Sequence, residues 1–297
     1  MQSYSLVFII TNKSGLHLQK FKFFIKKCHF FLSSIRKIQT DKNFFYQFFL
    51  SNLYCNTIDM TYSAEKAIIL AAGTGSRMAP VTLETPKPLV SIKGVRIIDT
   101  LIDALLEAGI EDITVVRGYK KEAFDVLLEK YPSLKFIDNP DFGDSDTLSS
   151  VHAALDILSD GCYICEAGLI LNNPEIIRKY HSSSDYLGSY VKETGEWSLQ
   201  ESEGRAVNYH KGGFNCFQIY GISYWTPEEC DQLREDIRAA WEEGSRNALF
   251  ESVPLNLNKE NYDVKIHECQ KGDVIKVETF HDLIALDPTY KHFNQAR

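Results

Sequence analysis

Residues Ala67–Val90 read AIILAAGTGSRMAPVTLETPKPLV. The apolar run Ala67-Ile68-Ile69-Leu70-Ala71-Ala72, closed by Gly73, has the length and composition of a buried strand in a parallel sheet. It empties into a loop suited to an anion. Gly73 and Gly75 allow the backbone to approach a phosphate and turn its N–H groups inward, while Arg77 and Lys87 supply the positive charge that a triphosphate requires. Pro80, Pro86 and Pro88 stiffen the segment, so Lys87 is held between two fixed φ angles. Two other glycine-loop readings fail. A dinucleotide fingerprint needs a third glycine where Met78 stands, and no G-K-[ST] follows for a P-loop.

Outward from this stretch, the chain alternates. Ile98, Leu101, Ile102, Leu105 and Leu106 have helical spacing and stop at Gly109, which predicts a helix over Ile97–Ala108. A strand at Ile113–Val116, a helix over Lys121–Tyr131 and a strand at Leu134–Ile137 are expected next. A polar loop Asp138–Asp144, a helix from Ser145 to Leu158 and a strand at Cys162–Cys165 follow. The expected fold is α/β, a doubly wound, mostly parallel sheet with ligands at the carboxyl ends of its strands.

From Asp185 the texture changes. Tyr186–Val191, Glu196–Gln200, Arg205–Tyr209 and Cys216–Trp225 read as short strands separated by Thr-Gly, Glu-Gly and Lys-Gly-Gly turns, an antiparallel layer on the substrate side. A charged amphipathic helix over Pro227–Glu243, strands at Val264–His267 and Val274–Val277, and a helix at Thr279–Leu286 complete the reading. There is no internal repeat and no low-complexity segment.

The chain has 297 residues, 44% of them apolar, and a net charge of −8. That mean hides an asymmetry. Residues 1–60 hold ten of the eighteen phenylalanines and eight basic residues against Asp41 and Asp59, a leader of +6. Of the 32 basic and 40 acidic residues, 24 and 38 remain for 61–297, a body of −14. A single domain is expected over 60–297, with 1–59 a basic, Phe-rich leader outside the fold. The apolar runs of the leader are too short to span a bilayer, and it lacks the layout of a secretory signal. Met60 as the true initiator is the first of three readings; the others are a segment lying on a membrane surface and a helical partner-binding extension. Seven scattered cysteines argue for a reducing compartment, and Cys162-x-x-Cys165, with no second such pair, reads as buried thiols rather than a zinc or redox site. A cytoplasmic enzyme acting on small anions, without a transmembrane span and without a nucleic-acid partner, is the expectation.

The longer pattern L-A-A-G-x-G-S-R-M-x-P followed by T-P-K-P-L resembles the signature of the sugar-phosphate and choline-phosphate nucleotidyltransferases, of the MobA-like NTP transferase class. GIEDITVVRGYKKEAFDVL, KFIDNPDF, DYLGSYV, YGISYW and VETFHDLIALDPTY extend the likeness to the bacterial CTP:phosphocholine cytidylyltransferases, over about Glu65 to Tyr290. The resemblance implies attack by a phosphate oxygen on the α-phosphorus of CTP, with release of pyrophosphate, formation of CDP-choline and Mg²⁺ across the phosphates. Arg77 and Lys87 are then the catalytic cations. Ala71, Ala72, Gly73, Thr74, Gly75, Ser76 and Ser149 complete the nucleotide site. Trp197, Phe250 and Tyr220 form the acceptor wall, where aromatic faces suit a quaternary ammonium; the alternative for Trp197 is a core aromatic of the antiparallel layer.

Two departures bear on activity. Where the family places a metal-binding aspartate in an E-A-D-L segment, this chain has Glu166-Ala167-Gly168-Leu169, and Gly168 offers no side-chain oxygen. Glu251, in Phe-Glu-Ser-Val-Pro-Leu, matches the second family carboxylate, and Glu166 is the other candidate for the metal. Asp146-Thr147 replace the paired asparagines that precede Ser149-Ser150 in the family, and the Asp146 charge repels a phosphate. A sugar 1-phosphate or aminoalkylphosphonate acceptor, and a catalytically impaired paralogue that binds nucleotide, are the alternatives.

Overall fold

The sequence from Lys66 onward builds a seven-stranded sheet in a computed structural model that describes residues 61–143 and 146–294. The expectations for residues 1–59, for Met60 as initiator and for a helix start at Ser145 lie outside the described residues. In chain order the elements are β1 (Lys66–Ala71), α1 (Ile97–Glu107), β2 (Asp112–Arg117), β3 (Lys135–Asp138), α2 (Thr147–Ala153), β4 (Cys162–Glu166) and β5 (Leu169–Leu171). Then come β6 (Asp185–Ser202), β7 (Arg205–Trp225), α3 (Pro227–Glu242), β8 (Lys265–Glu268), β9 (Val274–Lys276) and α4 (Phe280–Leu286). The sheet order is β8-β6-β7-β4-β1-β2-β3. Strands β4, β1, β2 and β3 run parallel; β7 is antiparallel to both β4 and β6.

β1 shows why the sheet is wound on both faces. Ile69 points into one apolar cluster with Leu101, Leu105, Val115 and Phe124, while its neighbours Ile68 and Leu70 point into another with Leu148, Ile164, Trp225 and Leu233. Successive side chains of a strand face opposite ways, so a run apolar at every position needs cover on both sides. α1 covers the first face, and α2 with α3 the second. A third, smaller cluster of Met78, Val81, Val90, Ile97, Val277 and Leu283 joins the loop after β1 to the segment that ends in α4. All five described cysteines are buried and free, Cys162 and Cys165 among them, and burial pushes both of those thiols up.

Three expectations are corrected. The Lys121–Tyr131 helix is a 3₁₀ stretch, Lys121–Glu129, whose buried residues are Phe124 and Leu127. A three-residue repeat suits a three-residue turn, and two anchors are too few to draw the segment into an α-helix. The helix expected from Ser145 to Leu158 is, over the described residues, α2 followed by a separate 3₁₀ turn at Leu155–Ile157. The four short strands of the antiparallel layer are two long ones, β6 and β7, and they extend the main sheet through β4. Of the three glycine turns, Glu203-Gly204 alone is a hairpin turn, with positive φ at both residues. Thr194-Gly195 and Lys211-Gly212-Gly213 are bends within continuous strands, where the pairing register shifts. β5, paired with β9, was not anticipated.

Leu101 is fully buried on α1 whereas Val126 is 41% exposed. Leu101→Ala is expected to cost about 2–5 kcal/mol of stability in urea unfolding of the full chain, and Val126→Ala to stay within about 0.5 kcal/mol.

Candidate active site

At the carboxyl ends of β1 and β4 lies a cleft of about 900 Å³. Such a crevice is where open α/β sheets hold ligands. Leu70 to Arg77, Lys87, Ser149 and Ser150 line its nucleotide side; Trp197, Tyr209, Ile219 and Gly221 of β6 and β7 line the other. Glu166, Ala167 and Gly168, at the end of β4, lie between them, and Glu251, Lys276 and Glu278 complete the wall. Every residue expected for the nucleotide (Ala71, Ala72, Gly73, Thr74, Gly75, Ser76, Arg77, Lys87 and Ser149) therefore faces one space, with both candidate metal carboxylates.

The loop is set by local bonds. The Thr82 hydroxyl donates to the Gly75 carbonyl at 2.9 Å, and the Tyr119 amide donates to the Ala72 carbonyl at 3.0 Å. On α2, the Asp146 carboxylate accepts the Thr147 amide at 2.9 Å, and Asn139 Nδ2 donates to the hydroxyls of Ser149 and Ser150 at 2.9 and 3.1 Å. Asp146 thus caps the helix whose first turn borders the cleft.

Lys87 is a half-buried cation of the site. An ideal Cβ on Gly168 would lie 2.5 Å from its Nζ, so the ammonium occupies the space that any side chain at 168 would enter. Burial lowers the pKa of Lys87 below the usual lysine value, against the opposing pull of the Glu166 and Glu278 carboxylates. Arg77 lies at the rim, its guanidinium Nη1 donating to Glu278 Oε2 at 2.8 Å.

The two carboxylates differ in setting. Glu166 reaches over Gly221, where a Cβ would come within 2.5–2.6 Å of its carboxyl group, and its Oε2 lies 4.0 Å from Lys276 Nζ. Glu251 is 2% exposed; its Oε1 accepts from the Tyr186 hydroxyl at 2.6 Å, and its Oε2 is buried without a partner. Among the described residues no three His, Cys, Asp or Glu side chains converge on a metal position. A divalent ion shared with phosphate oxygens needs only one or two carboxylates, and the orphaned Glu251 oxygen together with Glu166 fits that demand.

The acceptor wall is only partly the expected one. Trp197 lines the cleft, stacked on Tyr209 with ring centroids 4.6 Å apart, a partner that sequence reading missed. Phe250 and Tyr220 do not line it. Strand alternation turns Ile219 and Gly221 to the cleft and Tyr220 to the opposite face, where its hydroxyl shares a 2.7 Å bond with Ser189. Phe250 is 1% exposed in the core beneath α2, and its amide donates to the Thr147 hydroxyl. The adjacent Leu249 and Glu251 face the cleft instead. Lys276 and Glu278 were also missed; the only signal for them was their i, i+2 spacing beside the strand at Val274.

Burial and the charge on Glu166 raise the Glu251 carboxyl from 4.5 to about 7. A pKa raised by folding means that the native state binds the extra proton, so this contribution to stability is full below about pH 4.5 and is lost as the pH rises through about 7. Glu251→Gln is expected to flatten that decline, read from urea midpoints across the interval; an unchanged slope would assign the decline to other groups.

Residues 67–246 match the MobA-like NTP transferase domain. A 2-aminoethylphosphonate cytidylyltransferase of Lancefieldella rimae is 36% identical over 77% of this chain and 95% of its own length. A choline-phosphate cytidylyltransferase of Haemophilus influenzae is 32% identical over 73% of this chain and 93% of its own. The solved CTP:phosphocholine cytidylyltransferase of Streptococcus pneumoniae superposes with a TM-score of 0.69 at 28% identity, covering 76% of this chain and 99% of that one. A glycine-bearing loop after β1, a cleft at the strand ends and these likenesses lead to one conclusion: the chain belongs to the MobA-like NTP transferase family, on its cytidylyltransferase side.

Proposed function

We propose that this chain transfers a cytidylyl group from CTP to a small phosphonate or phosphate bearing a cationic head group, and releases pyrophosphate. The observation that carries this reading is a single cleft with the anion loop and Lys87 on one side and the stacked Trp197–Tyr209 pair on the other. An acceptor oxygen attacks the α-phosphorus of CTP; a P–O–P bond forms, and the bond to the β-phosphate oxygen breaks. Such a transfer depends on positioning and charge neutralisation. Lys87 and Arg77 provide positive charge, and the loop from Gly73 to Ser76 provides backbone donors. Glu251 and Glu166 would hold Mg²⁺, which when bound neutralises phosphate charge. Charged substrates and buried free thiols fit a reaction in the cytoplasm, and no described helix is long and apolar enough to cross a membrane.

The head group is where the structure shifts the expectation. With Tyr220 and Phe250 turned away, the three-sided aromatic cage expected for choline is reduced to Trp197 and Tyr209, and the Glu196 carboxylate lines the same space. A primary ammonium donates hydrogen bonds to carboxylates, which a quaternary one cannot. We therefore place 2-aminoethylphosphonate ahead of phosphocholine.

Pyrophosphate release by the full chain with Mg²⁺, CTP and each acceptor tests the reading. Turnover with CTP is expected, faster with 2-aminoethylphosphonate, and Lys87→Ala should lower kcat by about 10²–10³-fold. Gly168→Asp should lower turnover too, because its carboxylate would meet the Lys87 ammonium. Silence with every triphosphate and acceptor, together with gain of activity in Gly168→Asp, would overturn the proposal in favour of a chain that only binds nucleotide.

A further inference from the structure

We infer that Lys276 is the cation that receives the phosphoryl or phosphonyl group of the acceptor. The inference rests on the transfer reading above and adds a residue to it. Lys276 ends β9, which pairs antiparallel with β5, and the next residue, Val277, donates its amide to the Gly168 carbonyl at 3.2 Å. This C-terminal strap therefore crosses immediately beyond the end of β4. Val277 is buried against Met78 and Leu283, and its neighbours Lys276 and Glu278 face the cleft.

The cations of the cleft differ in how they are held. Arg77 is engaged by Glu278 at 2.8 Å. Lys87 is packed against Gly168 on the nucleotide loop. Lys276 has a side chain only 16% exposed, and its ion-pair contact is a loose one, 4.0 Å from Glu166. Holding an ammonium in so enclosed a place costs free energy unless an anion compensates it. A carboxylate at 4.0 Å does so in part, and an incoming anion would complete it.

Its place then decides which anion. Glu166 belongs to β4, which stands in the sheet between β1, source of the nucleotide loop, and β7, which carries Tyr209. Lys276 beside Glu166 is thus at the junction of the two halves of the cleft. In the transfer two anions must meet there, and their repulsion is relieved by a cation between them. The triphosphate already has Arg77, Lys87 and the loop amides. Lys211 of β7 also lines the cleft, but it is exposed and sits opposite Trp197 at the head-group wall; among the described cations left to the acceptor, Lys276 is the one at the β4 end, and it fills that role.

Isothermal titration with inorganic phosphate, in the presence of non-reacting α,β-methylene-CTP, tests this without requiring turnover. Lys276→Ala should weaken phosphate by about 10–100-fold and leave the CTP analogue within about threefold; Lys276→Arg should recover much of the loss. In steady state the KM of the acceptor should rise in Lys276→Ala while that of CTP holds. Equal weakening of both ligands, or of neither, overturns the inference, as does failure of arginine to rescue a variant whose urea unfolding is unchanged. A wild-type chain that binds phosphate through Lys276 yet turns over no acceptor would instead sink the transfer reading and leave this anion site standing.

Discussion

The Lys87 ammonium, pressed against the bare backbone of Gly168, is the contact on which the site is arranged. It brings the nucleotide loop after β1 to the end of β4 and places a positive charge within the field of Glu166 and Glu278. A desolvated lysine is tolerable only where carboxylates face it. The two acids that do so lie more than a hundred residues apart in the chain, one at the end of β4 and one on the C-terminal strap. Gly168 is the enabling residue: by carrying no side chain it removes the carboxylate that the resemblance led one to expect there and makes room for the amine.

The strap is anchored by packing rather than by charge. Val277 and Leu283 share an apolar cluster with Met78, Val81 and Val90, so burial holds the segment against the nucleotide loop. α4 is closed by a capping box in which the Thr279 and Asp282 side chains each accept a backbone amide of the other residue. With the backbone fixed on both sides, Lys276 and Glu278 are presented to the cleft at defined positions. The exposed Arg77–Glu278 pair adds little stability of its own; what it does is orient the guanidinium at the entrance.

The acceptor side follows from the twist and bulges of β6 and β7. The register shifts near Thr194, Trp197 and Ser198 accompany the stacking of Trp197 on Tyr209. The wall so made joins the Trp197–Tyr209 stack with Glu196, which lines the same cleft.

The sequence by itself determined the strand at Ala67, the anion loop, the helix over Ile97–Glu107 and the doubly wound class, because each is written in local periodicity and glycine placement that need no distant partner. It also identified the loop residues, Trp197, Glu166 and Glu251 as site candidates. Tertiary structure decided which face each strand residue presents. Tyr220 is turned from the cleft because alternation along β7 gives that face to Ile219 and Gly221, and Phe250, in the turn before Val253–Leu257, is packed under α2 while Leu249 and Glu251 face the cleft. Tyr209, Lys276 and Glu278 entered the site the same way: the Arg77–Glu278 pair spans 201 residues of chain, and no short-range pattern encodes a contact created by the folding of the sheet between them.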